Sequence, residues 1–141
     1  IVVAVGKDGL RFTPDTVDAP VGAEISFQFF PKNHSVVQSN FENPCNPIEN
    51  AIFSGFVPVQ NGTSFFTIKV QDDKPVWLYC AQNAPSPHCK AGMVFAINPP
   101  KEGPNTLDAF KQLASAVTAN STAPSAVNGG EFTTPSNTPG N

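Results

Sequence analysis

The sequence predicts an all-β domain, a sandwich or barrel of seven to eight short strands. Two observations carry that expectation. Apolar and polar residues alternate at a period of two, most clearly over residues 24–30, where Ile25, Phe27 and Phe29 are separated by Ser26 and Gln28. The 141 residues also hold 15 Pro and 10 Gly against 12 Phe, the composition of a phenylalanine-rich core cut up by turns.

Taken in order, residues 1–5 form a β-branched run stopped by Gly6-Lys7-Asp8-Gly9. Residues 10–12 and 16–17 are brief extended pieces around Pro14-Asp15, and Val21-Gly22-Ala23 turns the chain into the strand at 24–30. After Pro31-Lys32-Asn33, residues 34–38 read as the next strand. Residues 41–60 show no period and are broken by Pro44, Pro47 and Pro58, which predicts an irregular excursion with a short helix over 48–53. Strands at 63–70 and 76–82 flank the charged turn Asp72-Asp73-Lys74-Pro75, and 94–97 closes the set before Pro99-Pro100. Beyond Pro104 the spacing changes: Leu107, Phe110, Leu113, Ala114 and Val117 recur at three and four. That predicts one amphipathic helix near 106–118, with Asn105 or Thr106 as N-cap and Asp108 in its first turn. From Asn120 onward Ser, Thr, Pro, Gly, Ala and Asn dominate, the composition of a stalk or linker. The expected organisation is a β domain over 1–99, a Pro-rich connector with a packed helix over 100–119, and a tail over 120–141.

Charge excludes several function classes. With a net charge of −3 and only eight Lys and Arg, the chain lacks the basic face of a nucleic-acid binder. No segment is long and apolar enough to span a bilayer as a helix, and GxxxxGK(S/T), GxGxxG and GxSxG are all missing. The chain opens on Ile1 and its single methionine is Met93, which fits a secreted protein after removal of a leader. Sequons begin at Asn33, Asn61 and Asn120. Asn61, in a turn, and Asn120 are the candidate glycan sites, whereas Asn33 directly precedes a candidate metal ligand and is expected to brace the ligand loops by hydrogen bonding.

The informative stretch runs from Cys80 through His88-Cys89 to Met93. It offers a thiol, an imidazole and a thioether from one loop between two strands, with His34, the other histidine of the chain, far upstream. Two histidines, a cysteine and a weak axial methionine are the donor set of a type 1 copper site. Thiolate and thioether suit Cu(I), imidazole serves Cu(II) as well, and a rigid compromise geometry limits rearrangement when an electron moves. Taken singly, each residue reads better as structure, a buried cysteine or methionine being ordinary core filling. Together, both histidines, the sole methionine and an odd cysteine outweigh that reading. Three cysteines allow three pairings, and spacing does not choose among them. A Cys45–Cys89 bridge leaves Cys80 free; either pairing that uses Cys80 destroys the metal site.

Asn33-His34-Ser35-Val36-Val37-Gln38, Tyr79-Cys80 and His88-Cys89-Lys90-Ala91-Gly92-Met93 together resemble a cupredoxin. They are most similar to phytocyanins and to secreted fungal serine-rich cupredoxin-domain proteins. Residues 11–14 and 22–27 are similar to the opening strands of that fold, and the resemblance spans about residues 1–98. It implies an eight-stranded Greek-key sandwich, one copper ion cycling between Cu(I) and Cu(II), and electron-transfer chemistry. It also implies the Cys45–Cys89 disulfide, since phytocyanins carry a bridged cysteine after the second ligand histidine. The chain departs from the plant pattern in its Cys80-to-His88 spacer, which is seven residues and includes Pro85 and Pro87.

The expected function is therefore an extracellular or cell-wall blue copper protein that transfers one electron, with His34, Cys80, His88 and Met93 as ligands. It is expected to be a monomer and not an enzyme, since a multicopper oxidase needs many more than the two histidines present. A redox partner protein is expected to dock near an exposed edge of His88 ringed by Pro85, Pro87, Ala91 and Gly92. The alternative is a copper-binding cell-surface protein for sequestration, delivery or adhesion, which the Ser/Thr/Pro-rich tail would suit.

Overall fold

The computed structural model describes residues 1–133. Strands β1 (Val2–Val5), β2 (Phe12–Thr13), β3 (Thr16–Val17), β4 (Glu24–Phe29), β5 (Asn33–His34) and β6 (Val37–Ser39) come first. They are followed by β7 (Val57–Pro58), β8 (Ser64–Lys69), β9 (Val76–Tyr79), β10 (Val94–Ile97), helix α1 (Leu107–Ser115) and β11 (Glu131–Thr133). One sheet has the order β11-β8-β4-β1-β2, the second β3-β10-β9-β6, and β5 pairs with β7 in a small ladder. Pairing is antiparallel except for β1 with β4 and β3 with β10. The two sheets pack as a sandwich, one of the two forms the strand pattern predicts, in the Greek-key arrangement the resemblance implies.

Alternation builds the first sheet. Ile25, Phe27 and Phe29 of β4 are all fully buried, while Ser26 turns outward to share a 2.8 Å hydrogen bond with Thr67 across the β4–β8 pair. The inner faces meet in a core where Phe12, Phe27 and Phe95 rings lie 5.5–6.1 Å apart at tilted or edge-on angles, the arrangement their ring quadrupoles favour. The second sheet is covered on both faces, so β10 reads as an uninterrupted apolar run, Val94-Phe95-Ala96-Ile97, with every residue buried. Its outer face carries α1. Phe110 stacks at 4.8 Å on Trp77, which also meets Phe41 at 5.1 Å. Thr106 is the N-cap, its hydroxyl accepting from the Ala109 N–H.

Two expectations fail locally. Residues 48–53 form no helix: Asn50 takes a left-handed φ of +58°, and Phe53 is drawn into bridges with Val37 and Asn128. The stalk reading of the tail also gives way within the described residues. Phe53 exchanges backbone hydrogen bonds with Asn128, and Glu131–Thr133 adds an edge strand to β8, with Phe132 at 5.2 Å from Phe66. Glycine permits the close approach at two points: a Cβ at Gly129 would collide with Ile52, and one at Gly130 with Phe66 and the Thr67 carbonyl.

Candidate metal centre

Three buried donors converge at one end of the sandwich: His34, Cys80 and His88, with ligating atoms all within 4.8 Å of one another. Cys80 follows the last residue of β9, inside the core, and its N–H donates to the Met93 carbonyl at 3.1 Å. His34 ends the short β5, paired opposite Val57. Between them, residues 81–88 loop outward and return through the His88 N–H, which donates to the Gln82 carbonyl at 2.9 Å. The next turn is tight. Ala91 and Met93 N–H groups both donate to the His88 carbonyl, and Gly92 sits at φ +110°, a conformation open to glycine and strained for other residues. That turn fixes the His88-to-Met93 spacing and returns Met93, the residue before β10, fully buried beside Cys80 in the core.

Cys80 Sγ lies 3.6 Å from His88 Nδ1 and 4.0 Å from His34 Nδ1. Zinc-like bond lengths of about 2.3 Å to sulfur and 2.05 Å to nitrogen would separate S and N by about 3.8 Å in a trigonal site. The two sulfur–nitrogen separations are therefore close to those a trigonal ion needs. The orientation of the donors is held from behind. His34 Nε2 is 3.2 Å from the Pro31 carbonyl and His88 Nε2 is 3.0 Å from the Ala84 carbonyl. A carbonyl can only accept, so each Nε2 carries the proton and each Nδ1 presents a lone pair toward the sulfur.

Burial keeps all three groups neutral without a cation. Desolvation lowers the pKa of both histidines below the ordinary 6.5, against backbone hydrogen bonds that raise it. It pushes the Cys80 thiol up, against hydrogen bonds from Gln82 and Ser35. Ser35 is a participant the sequence did not single out. Its N–H donates to Cys80 Sγ at 3.3 Å, and its hydroxyl accepts from the Ala81 N–H at 2.9 Å. A serine beside a histidine has no distinctive spacing, so only the packing reveals it.

Among the described residues Asn33 Oδ1 is buried without a hydrogen-bond partner, and the bracing bond seen is that of the Ser35 hydroxyl with the Ala81 N–H. The edge of His88 is not exposed. The residue is 3% accessible, because the long spacer folds Ala84 back onto its Nε2. Cys45 and Cys89 are bridged, S–S 2.02 Å, and Cys80 is the free thiol. The bridge pins the 40–56 excursion beside His88. Asn61 and Asn120 lie apart from the cluster on exposed surface.

No protein-family model matches the chain. It is 39% identical over 129 residues to "Probable GPI-anchored cupredoxin-1" of Arthroderma benhamiae, covering 92% of this chain and 65% of that protein. It is also 39% identical over 133 residues to an "Extracellular serine-rich protein" of the same fungus, covering 92% of this chain and 50% of that one. The chain thus spans half to two-thirds of the length of these relatives. Among solved structures, pseudoazurin from Hyphomicrobium denitrificans superposes with a TM-score of 0.51 at 20% identity, over 84% of this chain and 98% of that one. The sandwich, the buried His–Cys–His cluster and this kinship over most of the sequence agree: the chain belongs to the cupredoxins.

Proposed function

We propose that this domain is an extracellular mononuclear type 1 copper protein acting in one-electron transfer. The observation that carries the reading is the convergence of two imidazole Nδ1 atoms and one thiol on a single buried point, each imidazole oriented by a backbone carbonyl. His34 and His88 would hold copper through Nδ1, Cys80 through its thiolate, and Met93 through its thioether sulfur. The copper supplies a centre that changes charge by one electron. The chain supplies rigidity and dryness: the Pro31 and Ala84 carbonyls hold the rings, the Cys45–Cys89 bridge and the His88–Met93 turn hold the loop, and burial excludes water. Loading costs Cys80 its thiol proton, which leaves Sγ for solvent. The disulfide and the names of the two fungal relatives support an extracellular setting.

Addition of Cu(II) to the metal-free protein tests this directly. The expected result is an intense sulfur-to-copper absorption with narrow copper hyperfine splitting in EPR, both lost in Cys80→Ser. A colourless adduct, or a spectrum indifferent to Cys80→Ser, refutes the reading.

A further inference from the structure

The two imidazoles close the floor of an open cavity of about 530 Å³, a size typical of small-molecule sites. Leu10 and the glycines Gly6 and Gly9 form one wall, Pro31 and Lys32 a second, and Ala84-Pro85 of the long spacer a third. Four features restrict what fits. Both Nε2 atoms already bond backbone carbonyls, so the floor presents ring surface and no free N–H to a small polar anion. The walls named are otherwise aliphatic, proline or glycine, and Asn33 and Gln82 add two neutral amides to a lining that is mainly apolar. Among the described residues Lys32 is the one charged residue of the lining, which contains no carboxylate. The rings are also recessed, each histidine only 3% accessible, so a flat protein face would meet the rim before it met them.

We infer that this pocket binds a planar aromatic molecule of one or two rings bearing a single negative charge, a carboxylate or phenolate. Its ring lies against the imidazole edges and its charge faces Lys32. The inference deepens the electron-transfer reading, on which it rests for its purpose, by giving the class of the partner; the binding itself needs no copper.

The test is an NMR titration of the metal-free 141-residue chain at pH 7.5 with cinnamate, a redox-inert aromatic carboxylate, and with cinnamyl alcohol, its neutral counterpart. The expected result is saturable shifts at the amides of Gly9, Leu10, Lys32 and Ala84, with the alcohol about threefold to fivefold weaker, the worth of one exposed ion pair. Lys32→Gln should bring acid and alcohol to equal affinity, and Leu10→Trp, which fills the cavity from its rim, should abolish both. Absence of saturable shifts at these amides, equal affinity of acid and alcohol for the unsubstituted protein, or undiminished binding by Leu10→Trp overturns the inference. The copper spectrum is read separately. Cinnamate binding without a Cys80-dependent spectrum refutes the electron-transfer reading and keeps the pocket; the converse refutes the pocket and keeps the copper reading.

Discussion

Replacing Asn83 by alanine should destabilise the whole domain, although Asn83 lies in a surface loop. Its side chain clasps Ser121 from both sides: Nδ2 donates to the Ser121 carbonyl at 3.0 Å, and Oδ1 accepts from the Ser121 N–H at 2.9 Å. Ser121 is 7% accessible, so Asn83→Ala strands two backbone groups with little water to replace their partner. An orphaned buried group costs about 1–3 kcal/mol. With some solvent reaching the gap, the pair together should cost about 2–3 kcal/mol. An unfolding entropy of about 2.1 cal/mol/K per residue gives about 0.3 kcal/mol/K for the chain, so Tm should fall by about 7–10 °C. Circular dichroism of the metal-free protein measures this. The same segment also anchors at Tyr79, whose hydroxyl donates to the Thr122 carbonyl at 2.5 Å, and at Cys45, whose carbonyl accepts from the Thr122 N–H. Residues 121–122 thus tie down both sides of the ligand loop, and Asn83→Ala should also speed copper loss to a chelator. A Tm change under about 2 °C would show that the segment merely lies on the surface.

Two further outcomes follow from the site. Gly6 and Gly9 both have positive φ, +83° and +97°, so alanine at either incurs a backbone cost of about 1–2 kcal/mol. A Cβ at Gly9 meets nothing within 4 Å, whereas one at Gly6 collides with the His34 ring. Gly6→Ala should therefore lower stability by at least about 1 kcal/mol more than Gly9→Ala and should alone weaken copper binding; equal effects in urea titrations would remove Gly6 as the support of that ring. Stability of the metal-free protein should also depend on pH. Both histidines have folded pKa values below 6.5, so as pH falls through 6.5 the unfolded chain takes up protons that the folded chain does not, and stability declines. The urea midpoint should drop from pH 7.5 to 5.5, above the carboxylate range; a flat profile contradicts neutral, buried imidazoles.

The fold was legible where periodicity was strong. β4, β8, β10 and α1 follow from alternation, an apolar run and helical spacing, because each buries a face that the sequence writes directly. The two-residue strand β7 and the edge strand β11 were not legible, since pairing to a neighbour, rather than any local preference, makes them strands. The metal cluster was legible because its residue types are scarce: with two histidines and three cysteines, few assignments exist. Its surroundings were not. Ser35, the Asn83–Ser121 clasp and the enclosure of His88 depend on how residues 81–87 fold back and on where the C-terminal segment lies, and neither has a repeating signal.

The electrostatics of the cluster bear on which oxidation state the fold favours. Without a metal, burial holds two neutral imidazoles and a protonated thiol, the uncharged form of each group. Once Cys80 has lost its proton the three donors carry a charge of −1. A monovalent ion brings that total to zero and a divalent ion brings it to +1. Unpaired charge is costly where water is excluded, and Cys80 is fully buried with each histidine only 3% accessible. Dryness therefore biases the proposed copper toward its reduced state, and the Ser35 N–H at 3.3 Å from Sγ adds to the bias by favouring the electron-richer sulfur. The pocket proposed for a flat aromatic ring would tune this balance, because an anionic occupant beside the imidazoles partly compensates the divalent state.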